Sequence, residues 1–204
     1  MALHIETPLI ESQAMSVIAG RSTWIKLDAL QPSGSFKIRG IGHACETYLA
    51  QGARRFVSSS GGNAGLAVAY AGRRLGVPVT VVVPETTTEK AKELLRLEKA
   101  EVIVHGSSWQ EANTLAESLI GAEVAFLHPF DEPLLWQGHA TLIDEVSNTG
   151  LKPGAVVLSV GGGGLLSGIV EGLQRNGLSN VPVIAVETTG AASFHAAVQA
   201  GHTV

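Results

Sequence analysis

Cysteine is nearly absent from the chain. Cys45 is the only one, so no internal disulfide can form, and nothing suggests a small secreted scaffold. Cys45 lies in a helical apolar pattern, where a lone thiol reads as a small buried hydrophobe. Charge is sparse as well. Charged residues make up 16% of the chain, the net charge is -4, and the Lys and Arg residues gather in no patch, which argues against a nucleic-acid surface. No apolar run reaches the roughly 20 residues a membrane span needs, and the opening Met1-Ala2-Leu3-His4-Ile5-Glu6 does not read as a signal peptide. The expectation is a cytoplasmic protein, with no membrane and no nucleic acid among its partners. Other signatures are missing too: the His-Glu-x-x-His metal spacing, the Gly-x-Ser-x-Gly nucleophile elbow and the Gly-Lys-Ser/Thr ending of a P-loop. His43, His128, His139 and His195 are scattered, and each reads as a packed or surface side chain.

Glycine, by contrast, is abundant. The 24 glycines of the 204 residues exceed the usual share of about 7% and cluster at Gly61-Gly62, Gly65 and Gly161 to Gly164. Between the clusters, strand and helix patterns alternate. Strands are expected over 24–27, 56–58, 77–83, 101–104, 124–127, 155–160 and 183–187. Helices are expected over 39–50, 64–75, 88–97, 109–120, 135–148, 165–175 and 193–200. This alternation predicts an α/β fold with parallel sheets, and the short apolar runs fit strands covered on both faces. Such sheets bind ligands beyond the carboxyl ends of their strands, where two of the glycine loops fall.

Three segments carry candidate chemistry. In Gln31-Pro32-Ser33-Gly34-Ser35-Phe36-Lys37-Ile38-Arg39-Gly40, Pro32 and Gly34 force a turn, Ser35 can cap the following helix, and Lys37 falls in its first turn. The helix N-terminus disfavours a positive charge there, which lowers the lysine pKa and makes it a better Schiff-base former. A solvated helix lysine beside Arg39 stays open on spacing alone, and Lys26, Lys90, Lys92, Lys99 and Lys152 fit that plainer description. Ser58-Ser59-Ser60-Gly61-Gly62-Asn63-Ala64-Gly65 links a strand to a helix, so its amides can hold a carboxylate or phosphate; an ordinary tight turn with an Asn cap is the alternative. Ser159-Val160-Gly161-Gly162-Gly163-Gly164-Leu165-Leu166-Ser167-Gly168 does the same. Four consecutive glycines are entropically costly and make sense where backbone must wrap a phosphate. A dinucleotide reading is weaker, because Glu187 only roughly meets the acidic position it requires.

Taken together and in this order, Ser-Phe-Lys-Ile-Arg-Gly, Ser-Ser-Gly-Gly-Asn-Ala-Gly and Gly-Gly-Gly-Gly-Leu-Leu-Ser-Gly resemble the fold-type-II pyridoxal-phosphate (PLP) enzymes, specifically the serine/threonine dehydratases. Pro129-Phe130-Asp131, Trp136-x-Gly138-His139-Ala140 and Val186-Glu187-Thr188-x-Gly190-Ala191 extend the similarity over essentially the whole chain. The resemblance implies two open parallel-sheet, three-layer αβα domains of the tryptophan synthase β-like type. A small inserted domain would span 39–134, and a large PLP-binding domain would combine 1–38 with 135–204. Relatives of this kind continue further, so a C-terminal part is expected to be missing.

The same resemblance implies roles. Lys37 would carry PLP and Phe36 would lie against its ring. Ser60, Gly61, Asn63 and Ala64 would bind the substrate carboxylate, with Asn63 also reaching the cofactor. Gly161, Gly162, Gly163, Gly164 and Leu165 would hold the phosphate. Glu187, Ala191 and Ser193 resemble a site for a monovalent cation such as K+. The expected partners are a small-molecule amino-acid substrate and a second copy of the chain in a homodimer. The implied reaction is the deamination of L-serine or L-threonine to pyruvate or 2-oxobutanoate plus ammonia. Serine racemisation, β-replacement and a non-catalytic ligand-binding role remain alternatives. Gly61 stands where some dehydratases carry Ala, which leaves substrate preference open.

Overall fold

Short β-branched runs make the sheets, and helices connect them. In a computed structural model, which describes residues 2–203, the chain opens with β1 (Leu9–Glu11), α1 (Gln13–Ala19), β2 (Trp24–Lys26) and a 3-10 turn over Asp28–Leu30. Next come α2 (Lys37–Ala50), β3 (Arg55–Ser58), α3 (Asn63–Leu75), β4 (Val79–Val83), α4 (Glu89–Leu97), β5 (Glu101–Val104), α5 (Trp109–Ser118) and β6 (Val124–Phe126). The last segment holds α6 (Pro133–Asn148), β7 (Val156–Ser159), α7 (Gly164–Arg175), β8 (Val183–Val186) and α8 (Ser193–Ala200).

β4, Val-Thr-Val-Val-Val, is buried along its whole length and sits inside a four-stranded parallel sheet ordered β5-β4-β3-β6. β7 and β8 form a second parallel pair in register from Val156↔Val183 to Ser159↔Val186. The expected parallel α/β organisation is therefore present. Caps explain several boundaries. The Thr88 side chain accepts from the Ala91 amide at the start of α4, and Ser108 and Glu111 form a reciprocal capping box on α5. Pro133 begins α6 earlier than expected, because a proline suits the first helical position.

Some expectations are corrected. β1 and β2 pair antiparallel, an element the all-parallel reading did not include. Neither β1 nor α1 was expected, and α1 buries no residue, so it has no apolar stripe to read. Ser35 does not cap α2. Phe36 takes the N-cap position with helical backbone angles, and the Ser35 hydroxyl is buried without a partner among the described residues. Lys26 and Lys92 are not solvated helix lysines. Lys26 lies in β2 and pairs with Glu145, and buried Lys92 pairs with Glu89 at 2.6 Å. Cys45 is fully buried as expected, and burial pushes its thiol pKa up.

The main core joins Ile38 and Ile41 of α2, Phe56 of β3, Val68 of α3, Val81 of β4 and Leu135 of α6. A second core gathers Ile143, Leu158, Ile169 and Leu173 around β7 and α7. α2 and α6 meet backbone to backbone between these cores. A Cβ at Gly138 would lie 2.3 Å from the Arg39 carbonyl oxygen, and one at Gly40 would lie 2.6 Å from His139 Cε1.

Arg39 fixes this contact chemically. Its side chain is fully buried. Nε and Nη2 donate to the two carboxylate oxygens of Asp28 at 2.7 and 2.8 Å, and Nη1 and Nη2 donate to Glu145 at 2.5 and 2.9 Å. A further bond reaches Thr141 Oγ1 at 3.0 Å. The guanidinium thus ties the N-terminal segment to α2 and α6 through two charge-assisted forks. Burial alone would raise the Asp28 and Glu145 carboxyls, but the Arg39 hydrogen bonds outweigh it and hold both below the ordinary range. Folded values below unfolded ones mean stabilisation that is present above about pH 4.5 and lost as pH falls through the folded values. Arg39→Met leaves Asp28 uncompensated and Glu145 with Lys26 alone, and is expected to cost about 3–5 kcal/mol in denaturant unfolding near neutral pH. Acidification should then destabilise the wild type and relieve the variant. Equal acid limbs would refute the assignment.

Candidate active site

Lys37 is the first residue of α2, half-buried, with no side chain capping that helix end. Its Nζ donates to the Pro129 carbonyl oxygen at 2.5 Å and stands 5.3 Å from the Phe36 ring centroid. Burial lowers its pKa to about 8, and the helix N-terminus acts in the same direction. The turn before it is held by Gly34, whose φ of 78° suits glycine and whose amide donates to the Gln31 carbonyl at 2.7 Å.

Phe36 meets His139 edge to face, with centroids 5.1 Å apart. His139 is fully buried and neither ring nitrogen has a partner among the described residues. Burial, with Lys37 and Arg39 nearby, lowers its pKa to about 3, so the ring is neutral.

The loop after β3 turns sharply into α3. Ser59 Oγ donates to Asn113 Oδ1 at 2.6 Å, and Ser60 Oγ accepts from the Gly62 amide at 3.3 Å. Gly62, not Asn63, is the N-cap, and it offers no side-chain cap, so the first-turn amides of Asn63 and Ala64 remain open to a ligand. Asn63 is exposed at the helix start. Gly65 is a steric necessity, since a Cβ there would lie 1.7 Å from the Ser60 carbonyl oxygen.

The loop after β7 divides its glycines by task. A Cβ at Gly162 would lie 2.3 Å from Phe130 Cγ, and one at Gly164 would lie 2.6 Å from the Phe130 carbonyl oxygen. Gly163 has φ 83°, the left-handed region, and forms the uncapped start of α7. Gly161 meets nothing within 4 Å. The start of α7 carries no side-chain cap, and backbone amides at such a helix N-terminus can receive an anion.

One chain of contacts therefore joins Phe36 and Lys37 to the 161–164 loop through Pro129 and Phe130. Pro129 and Phe130 belonged to the family resemblance but carried no expected role. The available signal was their place just beyond the carboxyl end of β6, at the same sheet edge as the 58–65 loop. His128 and His139, read as packing histidines, also lie within this assembly. Glu187 stands apart: its carboxylate accepts from the Phe194 and His195 amides at 2.9 and 2.7 Å and so closes the N-terminal end of α8. Ala191 and Ser193 lie in the same turn, and Ala191 bridges to Thr188. Among the described residues no cluster of three or more His, Cys, Asp or Glu is placed to hold a metal. No helix among them is long and apolar enough to cross a membrane.

Residues 2–204 match the family model described as pyridoxal-phosphate dependent enzyme. The mouse protein "L-serine dehydratase/L-threonine deaminase" is 53% identical over 206 residues, covering 100% of this chain and 63% of the relative. The human "serine dehydratase-like" protein is 50% identical over 203 residues, covering 98% and 62%. A crystal structure of a fungal L-serine ammonia-lyase from Rhizomucor miehei superposes with a TM-score of 0.93 at 37% identity, covering 99% of this chain and 65% of that one. The chain thus spans under two thirds of the length of these relatives.

The glycine geometry sets an order of tolerance. Gly65→Ala, aimed at a backbone oxygen, should lower the melting temperature most. Gly162→Ala, aimed at the Phe130 ring, should cost about 1–3 kcal/mol. Gly161→Ala, facing open space, should cost least. Thermal unfolding of the three variants reads the order, and a Gly161→Ala loss matching Gly65→Ala would refute it.

Proposed function

Because the chain belongs to the pyridoxal-phosphate-dependent enzyme family, of the fold type II shared by serine/threonine dehydratases, we propose that the whole protein deaminates L-serine or L-threonine and that Lys37 carries its cofactor. The residues present fit that group. An aldehyde needs an unprotonated amine, and Lys37, with its pKa near 8, supplies one close to neutral pH. A phosphate needs bare amides, and the glycine loop before α7 supplies them. The observation that carries the reading is that Lys37 and this loop are joined through a single dipeptide, Pro129-Phe130.

When bound, the cofactor supplies the electron sink that makes a carbanion at the substrate Cα accessible. The protein supplies the rest. Phe36 would lie along the ring, held edge-on by His139. The open amides after Gly62, with Ser60, Gly61, Asn63 and Ala64, would grip the substrate carboxylate and so orient the Cα–H bond. Asn63 would also reach the cofactor. Gly161, Gly162, Gly163, Gly164 and Leu165 would hold the phosphate. Freed Lys37 would take the Cα proton at Nζ as general base, a task that suits a pKa close to the working pH. Loss of the β-hydroxyl as water, followed by hydrolysis, gives a 2-oxo acid and ammonia.

The proposal also divides the chain into a small domain over 39–134 and a large one made of 1–38 and 135–204, with the site between them. It places a monovalent cation such as K+, as the family resemblance implies, beside Glu187 and the backbone at Ala191 and Ser193. It further takes the protein to be a homodimer, as the family resemblance implies, and cytoplasmic, as the sequence reading expects.

Reduction with borohydride after incubation of the full-length protein with PLP should leave a pyridoxyl group on Lys37, mapped by mass spectrometry. Labelling should rise with pH through about 8, because only the unprotonated amine reacts. Lys37→Ala should remain folded and lose product formation by about a thousandfold. Absence of label from Lys37 would overturn the reading, and a D-amino acid in place of a 2-oxo acid would replace the reaction while keeping the site.

A further inference from the structure

We propose that His128 is a positioning residue for Lys37: its unprotonated Nδ1 folds the 128–131 turn so that the Pro129 carbonyl receives the lysine amine. The inference rests on the reading of Lys37 as the working amine and adds a residue to which that reading gives no part.

Three observations carry it. First, His128 Nδ1 accepts two backbone amides, from Asp131 at 2.7 Å and from Phe130 at 3.3 Å. A ring nitrogen accepts only when it carries no proton, so the turn requires neutral His128 with its hydrogen on Nε2. Second, Pro129 is buried between His128 and these two amides, and its carbonyl accepts from Lys37 Nζ at 2.5 Å. Proline has no N–H of its own, so the turn is fixed by the His128 bonds and by Trp136 Nε1, which donates to the Phe130 carbonyl at 3.0 Å. Third, the His128 ring packs edge to face on Phe130 with centroids 4.7 Å apart, and Phe130 is the residue seated on Gly162 and Gly164. One imidazole therefore sets both the anchor of Lys37 and the ring against the glycine loop.

The anchor has a purpose for a lysine that must be released and reused. A free lysine side chain has many rotamers to give up before it acts. The Pro129 carbonyl takes one N–H and keeps Nζ in place without adding a charge.

The groups facing His128 are Asp131 in the turn, Glu132 at the start of α6, Glu117 of α5 and Lys37 of α2. Burial lowers its pKa below 6.5, with the three carboxylates opposing and Lys37 assisting. Since the folded value lies below the unfolded one, the turn is fully held above about pH 6.5 and is lost as pH falls through the folded value.

The test compares wild type, His128→Asn and His128→Ala in the full-length protein. Asparagine can accept both amides through its side-chain oxygen and does not titrate. His128→Ala should lower kcat about ten- to a hundredfold with KM within about twofold. His128→Asn should restore most of the loss and remove the extra fall of kcat below about pH 6.5 that adds to the limb set by Lys37. Hydrogen exchange of the Phe130 and Asp131 amides reads the turn without activity. After correction for intrinsic rates, these amides should be protected above pH 6.5 and lose protection in the wild type as His128 takes up its proton, followed by its ring NMR signals, whereas they stay protected throughout in His128→Asn and open throughout in His128→Ala. Equal exchange in all three proteins, a His128→Ala kcat within twofold of wild type, or an identical fall of kcat below pH 6.5 in wild type and His128→Asn, once the limb set by Lys37 is allowed for, would each overturn the proposal. If borohydride leaves no label on Lys37, the functional reading fails, while the exchange data still decide whether His128 holds the turn.

Discussion

The contact between α2 and α6 is the constraint on which the site depends. These helices touch where Gly40 and Gly138 leave no room for side chains, and the Arg39 guanidinium binds Asp28 and Glu145 across the same seam. Lys37 precedes this contact by less than a turn of α2, and the 128–132 loop feeds directly into α6. Any sliding between the helices would change the 2.5 Å separation of Lys37 Nζ and the Pro129 carbonyl. A buried ion pair is a poor way to gain stability, because desolvation of both partners offsets the attraction. It does specify one geometry, since a fully buried guanidinium tolerates no arrangement that leaves its donors unmatched. A site that must place an amine within hydrogen-bond reach of its target has use for that rigidity.

The electrostatics around Lys37 follow from what is withheld. Among the described residues no carboxylate pairs with it. Its neighbours are Phe36, the neutral ring of His139, the accepting ring of His128 and a backbone carbonyl. Burial therefore acts unopposed and brings the amine to about 8. Arg39, two positions along the same helix, shows the opposite treatment, with two carboxylates that keep it charged. The same helix thus carries one cation made permanent and one made titratable, and the partners supplied by α6 and the N-terminal segment account for the difference.

Much of this was readable from residues alone. β-Branched runs such as Val79 to Val83 disclosed the parallel sheet, and the glycine clusters disclosed the two loops. Lys37 stood out by its Ser/Gly/Phe setting and first-turn position, and the family resemblance gave it a role. β1 and α1 were missed because three residues do not establish an alternation and α1 buries nothing. Ser35 was misread because a serine before a helix is a good N-cap by propensity, whereas here Phe36 already has helical backbone angles. The parts of His128 and Pro129 were not legible, because they depend on a contact between residues 92 positions apart, Lys37 and Pro129, that no local pattern records.

The glycine loop shows why such patterns are only half a description. Read as a string, Gly161 to Gly164 are equivalent and suit a phosphate. In the fold they are not equivalent. Gly163 supplies a left-handed turn, Gly162 and Gly164 make room for Phe130, and Gly161 is left with open space around it. The glycines that shape the anion site are thus also those that receive the aromatic ring next to the lysine anchor. Substituting Gly162 would disturb Phe130, then Pro129, and through it Lys37, without removing a single amide from the loop. The shape of the glycine loop and the placement of Lys37 are therefore coupled through one phenyl ring, and the loop's sequence is constrained twice.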